Sequence, residues 1–248
     1  MVGKVALVTG GSRGIGAAIV RALGARGFKV AINCLKSTDL AAKILRESGI
    51  QGAVFKADAT NHAEVADMVR AIERELGPVD AAVHNANVGL VGSAFAGPFH
   101  LTPWEDVKHK LLEEMAAFHA LCAATVPGMV DRKWGRIVGV STIVSRFASV
   151  GTGLHAAGKA AMDASCRTLS KELGPHGITV NIAAPGFIET DVTAHESEAL
   201  RQKVAKITPL RRLGTPDDIG GVVAFLCSDE ARWITGQYIP LNGGGSTV

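Results

Sequence analysis

Aromatic residues are scarce in this chain: eight phenylalanines, three tryptophans and one tyrosine, Tyr238, among 248 residues. Such a composition argues against a ligand-stacking β-barrel, and the small and aliphatic residues that dominate instead suit parallel strands buried beneath helices. The four cysteines, Cys34, Cys122, Cys166 and Cys227, lie far apart with no C-x-x-C pair. Neither a zinc site nor a disulfide framework is expected from them, and a reducing compartment fits. No block of one charge sign is present either: 26 basic residues are interspersed with 23 acidic ones, giving a net charge of +3. A nucleic-acid partner is therefore not expected. No apolar run is long enough for a bilayer span, and Met1 leads almost at once into Val5–Val8 without a cationic leader. The expectation is a soluble, cytoplasmic protein with no membrane contact.

What the chain does have is alternation. Short apolar runs at Val5–Thr9, Lys29–Asn33, Ala53–Lys56, Asp80–His84, Gly135–Ser141, Thr179–Ala183 and Gln237–Leu241 read as strands. Helical periodicity fills 14–26, 38–48, 61–76, 102–131, 153–173 and 216–227 between them. This predicts one α/β domain over residues 1–248, a Rossmann-type, doubly wound, seven-stranded parallel sheet with helices on both faces. Thr102-Pro103-Trp104-Glu105 reads as a helix start with a capping threonine. The segments 88–101 and 191–210 read as loops over a cleft, the first offering Phe95, Phe99 and His100 to an apolar substrate.

Gly10-Gly11-Ser12-Arg13-Gly14-Ile15-Gly16 follows the first strand and opens a helix. In that context glycines let backbone amides approach a pyrophosphate that the helix dipole favours, so a dinucleotide is expected there. An acidic residue at the end of the second strand would hold a ribose 2′-hydroxyl and repel a 2′-phosphate. The chain has Asn33-Cys34-Leu35-Lys36 instead. With Arg13 and Lys36 available as cations, NADP is the expected cofactor; the alternative is that both are solvated surface charges.

Taken together, these residues resemble the short-chain dehydrogenase/reductase family, in particular its 3-oxoacyl-carrier-protein reductases, from Lys4 to about Gly244. Thr9 to Gly16 is similar to the family's cofactor motif, with Gly10, Ser12, Arg13, Ile15 and Gly16 as the implied contacts. The resemblance further implies that Asp58 and Ala59 hold the adenine. Asn85-Ala86 matches the start of an Asn-Ala-Gly motif in which Asn87 replaces the glycine. Asn181, Pro185, Gly186, Ile188 and Thr190 fall in the segment that cradles the nicotinamide, and Gly236 with Asn242-Gly243-Gly244 matches the last strand and tail.

The catalytic end departs from the family pattern. His155-Ala156-Ala157-Gly158-Lys159 stands where the family has Tyr-x-x-x-Lys, so imidazole replaces phenol while Lys159 is kept on the same helix face. The family's serine position falls on Thr142, beside Ser141; the alternative is that both are ordinary strand-end hydroxyls. Counting back from Pro127-Gly128-Met129 places Glu114 at a relay-asparagine position, or else makes it a helix-surface carboxylate. Tyr238 lies on the last strand, where the resemblance places it away from the nicotinamide and so unable to substitute for the missing phenol.

Three readings follow. The first is an NADP(H)-dependent oxidoreductase acting on a carbonyl or hydroxyl compound through His155 and Lys159. A second is a non-redox enzyme on this scaffold, performing isomerisation, dehydration, cyclisation or carbon–carbon bond chemistry, in which Glu114, if it converges with His155, orients that imidazole as a base. Third is a catalytically silent binding protein or partner subunit. The helices 102–131 and 153–173 resemble the pair through which the family assembles, implying a homotetramer or homodimer.

Overall fold

The computed structural model describes residues 1–88 and 97–246. Phe95, expected in the substrate wall, lies outside them. Seven parallel strands form one sheet in the order β3-β2-β1-β4-β5-β6-β7. They are β1 Val5–Thr9, β2 Lys29–Cys34, β3 Gly52–Lys56, β4 Val79–His84, β5 Gly135–Val140, β6 Ile178–Pro185 and β7 Tyr238–Leu241. The helices are α1 Gly14–Ala25, α2 Thr38–Ser48, α3 His62–Glu75, α4 Trp104–Arg132, α5 Gly153–Leu173, α6 Glu198–Ile207 and α7 Pro216–Leu226.

Alternation along the strands sends side chains into two cores, one on each face. Leu7, Ala82, Ile137 and Ile182 pack with Val69 and Ile72 of α3, Phe118 and Leu121 of α4, and Met162 and Cys166 of α5. Val8, Ile32, Val83 and Ala183 pack with Ile19 and Leu23 of α1 and with Ile219 and Val223 of α7. A sheet covered on both faces explains why its strands read as continuous apolar runs. All four cysteines are free and buried in these layers.

Two expectations are corrected. The stretch 191–210 is not all loop, because α6 occupies Glu198–Ile207. Ser197 caps it by accepting from the Leu200 amide, and Glu198 accepts from Gln202 one turn on, so local bonds sustain a helix that buries none of its residues. The long helix starts at Trp104, with the Pro103 carbonyl as first acceptor. Thr102 does not cap it; that residue closes the 3-10 turn Phe99–Leu101, its amide donating to the Phe99 carbonyl.

Chain order reverses between β1 and β4: the chain runs outward through β2 and β3, then returns to β4 on the other side of β1. Ligands of open α/β sheets bind outside the carboxyl ends of the strands at such a point. Thr9, Asn85, Ser141 and Pro185 all stand there.

Candidate active site and cofactor cradle

The glycine turn is built for close approach. Gly10 and Gly14 have φ of +64° and +51°, in the left-handed region that favours glycine. A Cβ on Gly16 would lie 2.2 Å from the Gly10 carbonyl oxygen and 2.6 Å from Asn85 Nδ2. Asn85 donates from Nδ2 to the carbonyls of Thr9 and Gly10, at 3.0 and 2.9 Å. Thr9 Oγ1 in turn accepts from the amides of Asn85 and Ala86. The switch point is thereby locked by side chain to backbone bonds from both strands. No side chain caps α1 and its first turn carries no acid. Those amides and the dipole behind them suit a phosphate, so the cradle fits a dinucleotide.

Around the cradle, Arg13 and Lys36 are exposed, and neither pairs with a carboxylate among the described residues. Asn33 is buried, and its Nδ2 donates to the Ala57 and Phe55 carbonyls of the neighbouring chain segment. Its amide is thus spent on the sheet, although its carbonyl still anchors the turn by accepting from the Gly11 amide. Asp58 Oδ1 accepts from both the amide and the hydroxyl of Thr60, which fixes the carboxylate beside Ala59. Pro185 ends β6, and the Gly186 amide donates to the Leu241 carbonyl. Ile188 is buried and bridges to Gly214, and Thr190 lies across from Gly14, its Cγ2 3.5 Å from where a Cβ of that glycine would be. This brings the β6 exit over the glycine turn.

The reacting end is a buried charge cluster. Lys159 Nζ donates to Glu114 Oε1 at 2.7 Å and to the Val140 carbonyl at 3.0 Å. Glu114 also accepts from Lys110 Nζ at 2.6 Å on its other oxygen, and His84 Nε2 lies 3.1 Å from Oε1. The Glu114, His84 and Lys110 side chains are wholly inaccessible and Lys159 is 3 % exposed. Glu114 is therefore no helix-surface carboxylate. Burial alone would push its carboxyl upward, but Lys159, His84 and Lys110 outweigh burial and hold it well below the usual range. Burial dominates for His84 and Lys110, lowering both.

The convergence of Glu114 and His155 on which the non-redox reading depends is not formed among the described residues. The imidazole on Glu114 belongs to His84, because the carboxylate faces inward toward the end of β4 while His155 sits a turn before Lys159. His155 Nδ1 is buried and has no hydrogen-bond partner among the described residues. Burial, then Lys159 and Lys110, lower this imidazole to about 4 against the opposing effect of Glu114. Phe99 packs against Gly153, two residues before His155, and is half exposed.

Thr142 and Ser141 differ in their commitments. Thr142 Oγ1 accepts from the Val144 amide at 3.4 Å, a long bond that leaves its proton to give. Its carbonyl is clamped by Ser145 Oγ at 2.9 Å and by the Tyr238 hydroxyl at 2.8 Å. The lone tyrosine thus supports the β5 exit from behind. Ser141 Oγ is buried and makes no hydrogen bond of ordinary geometry among the described residues.

His84 and Lys110 are the site residues that motif reading missed. Lys110 and Glu114 lie on the stripe Val107, Lys110, Glu114, Ala117, Phe118, Leu121, whose helical spacing marks a core face. Two opposite charges on such a stripe are a signal of a buried pair. No group of three or more His, Cys, Asp or Glu side chains among the described residues could hold a metal ion, and no helix there is long and apolar enough to cross a membrane.

Comparison with known proteins agrees with this geometry. A family described as Enoyl-(Acyl carrier protein) reductase matches residues 10–246. The chain is 38 % identical over 245 residues to the 3-oxoacyl-(acyl-carrier-protein) reductase FabG of Pseudomonas aeruginosa, covering 98 % of this chain and 97 % of that protein. It is 39 % identical to the acetoacetyl-CoA reductase of Shinella zoogloeoides, over 97 % and 98 % of the two chains. A blue fluorescent protein from a metagenomic library, solved in complex with NADPH, superposes with a TM-score of 0.88 at 34 % identity over 99 % of each chain. Glycine turn, strand order and the buried lysine of α5 converge with these relatives on one conclusion: the chain belongs to the short-chain dehydrogenase/reductase family.

Proposed function

We propose that this protein is an NADP(H)-dependent oxidoreductase that interconverts a carbonyl and a hydroxyl compound, with His155 in the place of a phenol. The observation that carries the reading is Lys159. Two of its three N–H donors are bound, to Glu114 and the Val140 carbonyl, which leaves one for a ribose hydroxyl. A lysine so fixed at the end of β5 orients a nicotinamide ribose rather than serving the surface. When bound, NADP(H) supplies the hydride. Preference for NADP over NAD is supported by the absent acid at the end of β2 and by exposed Arg13 and Lys36; a 2′-phosphate would pair with either. Relatives named as reductases and a neighbour solved with NADPH support the same class.

His155 is neutral at pH 7, so it offers an acceptor nitrogen and an N–H. The acceptor nitrogen takes the hydroxyl proton when an alcohol is oxidised, which leaves imidazolium; when a ketone is reduced the imidazolium returns that proton to the oxygen as hydride reaches the carbon, and Thr142 can donate a hydrogen bond to that same oxygen. A homotetramer or homodimer assembled through α4 and α5 completes the proposal, along with a cytoplasmic location and a small, fairly apolar substrate. The Glu114–His155 base needed for non-redox chemistry is not assembled, so that reading loses its support. NADPH consumption with a panel of ketones tests the redox reading; binding of NADPH without any oxidation, across the panel and in reverse with alcohols, would overturn it.

A further inference from the structure

Lys110 is wholly buried, and a buried ammonium persists only where it is paired and hydrogen-bonded. Its three N–H donors have three acceptors: Glu114 Oε2 at 2.6 Å, the Val88 carbonyl at 2.6 Å and Asn87 Oδ1 at 3.1 Å. Asn87 is the residue that replaces a motif glycine, and Glu114 the one at the relay-asparagine position. Gly158, inside α5 between His155 and Lys159, belongs to the same unit. A Cβ there would come within 3.0 Å of Lys110 Cε and 3.2 Å of Cγ. Glycine within a helix costs stability relative to alanine, and the Lys110 stem is what occupies the space an alanine would need.

We infer that Lys110 is a positioning residue of this active site: it holds Glu114 against Lys159, ties the exit of β4 at Asn87 and Val88 to the same carboxylate, and underlies the helical turn that carries His155. The inference rests on the oxidoreductase reading only in taking His155 and Lys159 as the reacting pair. The departures at Asn87 and Glu114 then form one unit, since the amide oxygen and the carboxylate are the acceptors that let a lysine sit at position 110. The charges acting on His155 are Lys159 on its own helix and Lys110 and Glu114 on α4. Loss of the Lys110 charge leaves Glu114 less neutralised, so both changes favour the imidazolium.

The test uses the full chain with isotope-labelled histidine, the His155 resonance being assigned by its absence in His155→Gln. Its titration midpoint is followed by NMR and NADPH affinity by fluorescence. In Lys110→Met the midpoint should rise by about one pH unit, and NADPH should bind several-fold more weakly as Lys159 loses its fixed carboxylate. A purely structural lysine would lower the melting temperature and shift the midpoint through its lost charge alone, but leave NADPH affinity unchanged, which would overturn the inference. Gly158→Ala keeps every charge and gives a second route should Lys110→Met fail to fold. It should weaken NADPH binding in the parent chain yet be harmless in Lys110→Ala, where the stem is gone. A Gly158→Ala chain that is more stable, with His155 midpoint and NADPH affinity unchanged, would equally overturn it. Because the NMR readout needs no turnover, failure of ketone reduction counts against the redox reading alone.

Discussion

Glu114 on α4 and Lys159 on α5 meet at 2.7 Å in the protein interior, and that contact fixes the geometry of everything around the reacting end. The lysine is pulled back onto β5, where the Val140 carbonyl takes a second donor. One carboxylate serves two ammonium groups and one imidazole. A uniformly apolar α4 would leave Lys159 as an unpaired buried charge, which explains why a core-facing helix stripe carries ions.

Glu114→Gln should therefore be costly. It leaves two buried ammonium groups without a countercharge, and breaking such a pair destabilises by about 3–5 kcal/mol. In a chain of this size the melting temperature should fall by roughly 6–20 °C. The folded-state carboxyl lies below its unfolded value of about 4.3. Its contribution is thus present above that pH and lost as the pH falls further, so the gap between wild type and variant should narrow in acid. Calorimetry at pH 7 and about pH 2.5, well below the unfolded value, checks both statements; an unshifted melting temperature at pH 7 would remove the ion pair from the account of stability.

Cofactor choice is the second prediction. NADPH should bind more tightly than NADH, and Arg13→Ala should weaken NADPH about tenfold, or roughly 1.4 kcal/mol, while leaving NADH nearly unchanged. Fluorescence titration of both dinucleotides decides it. Equal affinities in the wild type would mean that Arg13 and Lys36 are solvated surface cations.

Legibility in the sequence followed periodicity and local chemistry. Strands β1 to β7 were marked by short apolar runs, fully buried in β1, β4, β5 and β6, and their ends shifted by no more than two residues because strand termini depend on pairing partners. Gly10 to Gly16 were legible because a glycine turn between strand and helix has few other uses. α6 was not, since a helix with no buried face leaves only a polar stretch in the sequence. The start of α4 was misplaced because a capping pattern at Thr102 competed with a 3-10 turn that had already claimed that residue. The imidazole beside Glu114 was not legible for a different reason: His84 reaches it from the end of β4, 30 residues away in the chain, and no local pattern encodes that approach.

Assembly provides a third prediction. α4 exposes Leu112 at 61 % and Trp104 at 66 %, and a symmetric contact across α4 and α5 would cover such groups. Light scattering at micromolar concentration should give a tetramer or dimer, and Leu112→Glu should shift it toward monomer. A monomeric wild type would end the proposed assembly.

The last prediction concerns His155. Its imidazole is lowered to about 4 by burial and by the Lys159 and Lys110 charges. Above that pH the neutral form dominates, so alcohol oxidation, which needs the acceptor nitrogen, should be flat from about pH 5 upward as far as this group is concerned. Ketone reduction that draws its proton from imidazolium should instead rise about tenfold for each unit the pH falls between 7 and 5. The folded-state value lies below the unfolded value of about 6.5. Protonation thus favours the unfolded chain, and the stability contribution of neutral His155 is present above pH 6.5 and lost as the pH falls toward 4. His155→Phe should abolish turnover in both directions and leave NADPH binding nearly unchanged, because the glycine turn, Asp58, Lys159 and Thr190 are the residues proposed to hold the cofactor. His155→Tyr restores a phenol one turn before Lys159 and should raise ketone reduction at pH 7. A pH profile with its limb at alkaline pH, or undiminished turnover in His155→Phe, would take the proton from His155 and give that role to Thr142 or to water.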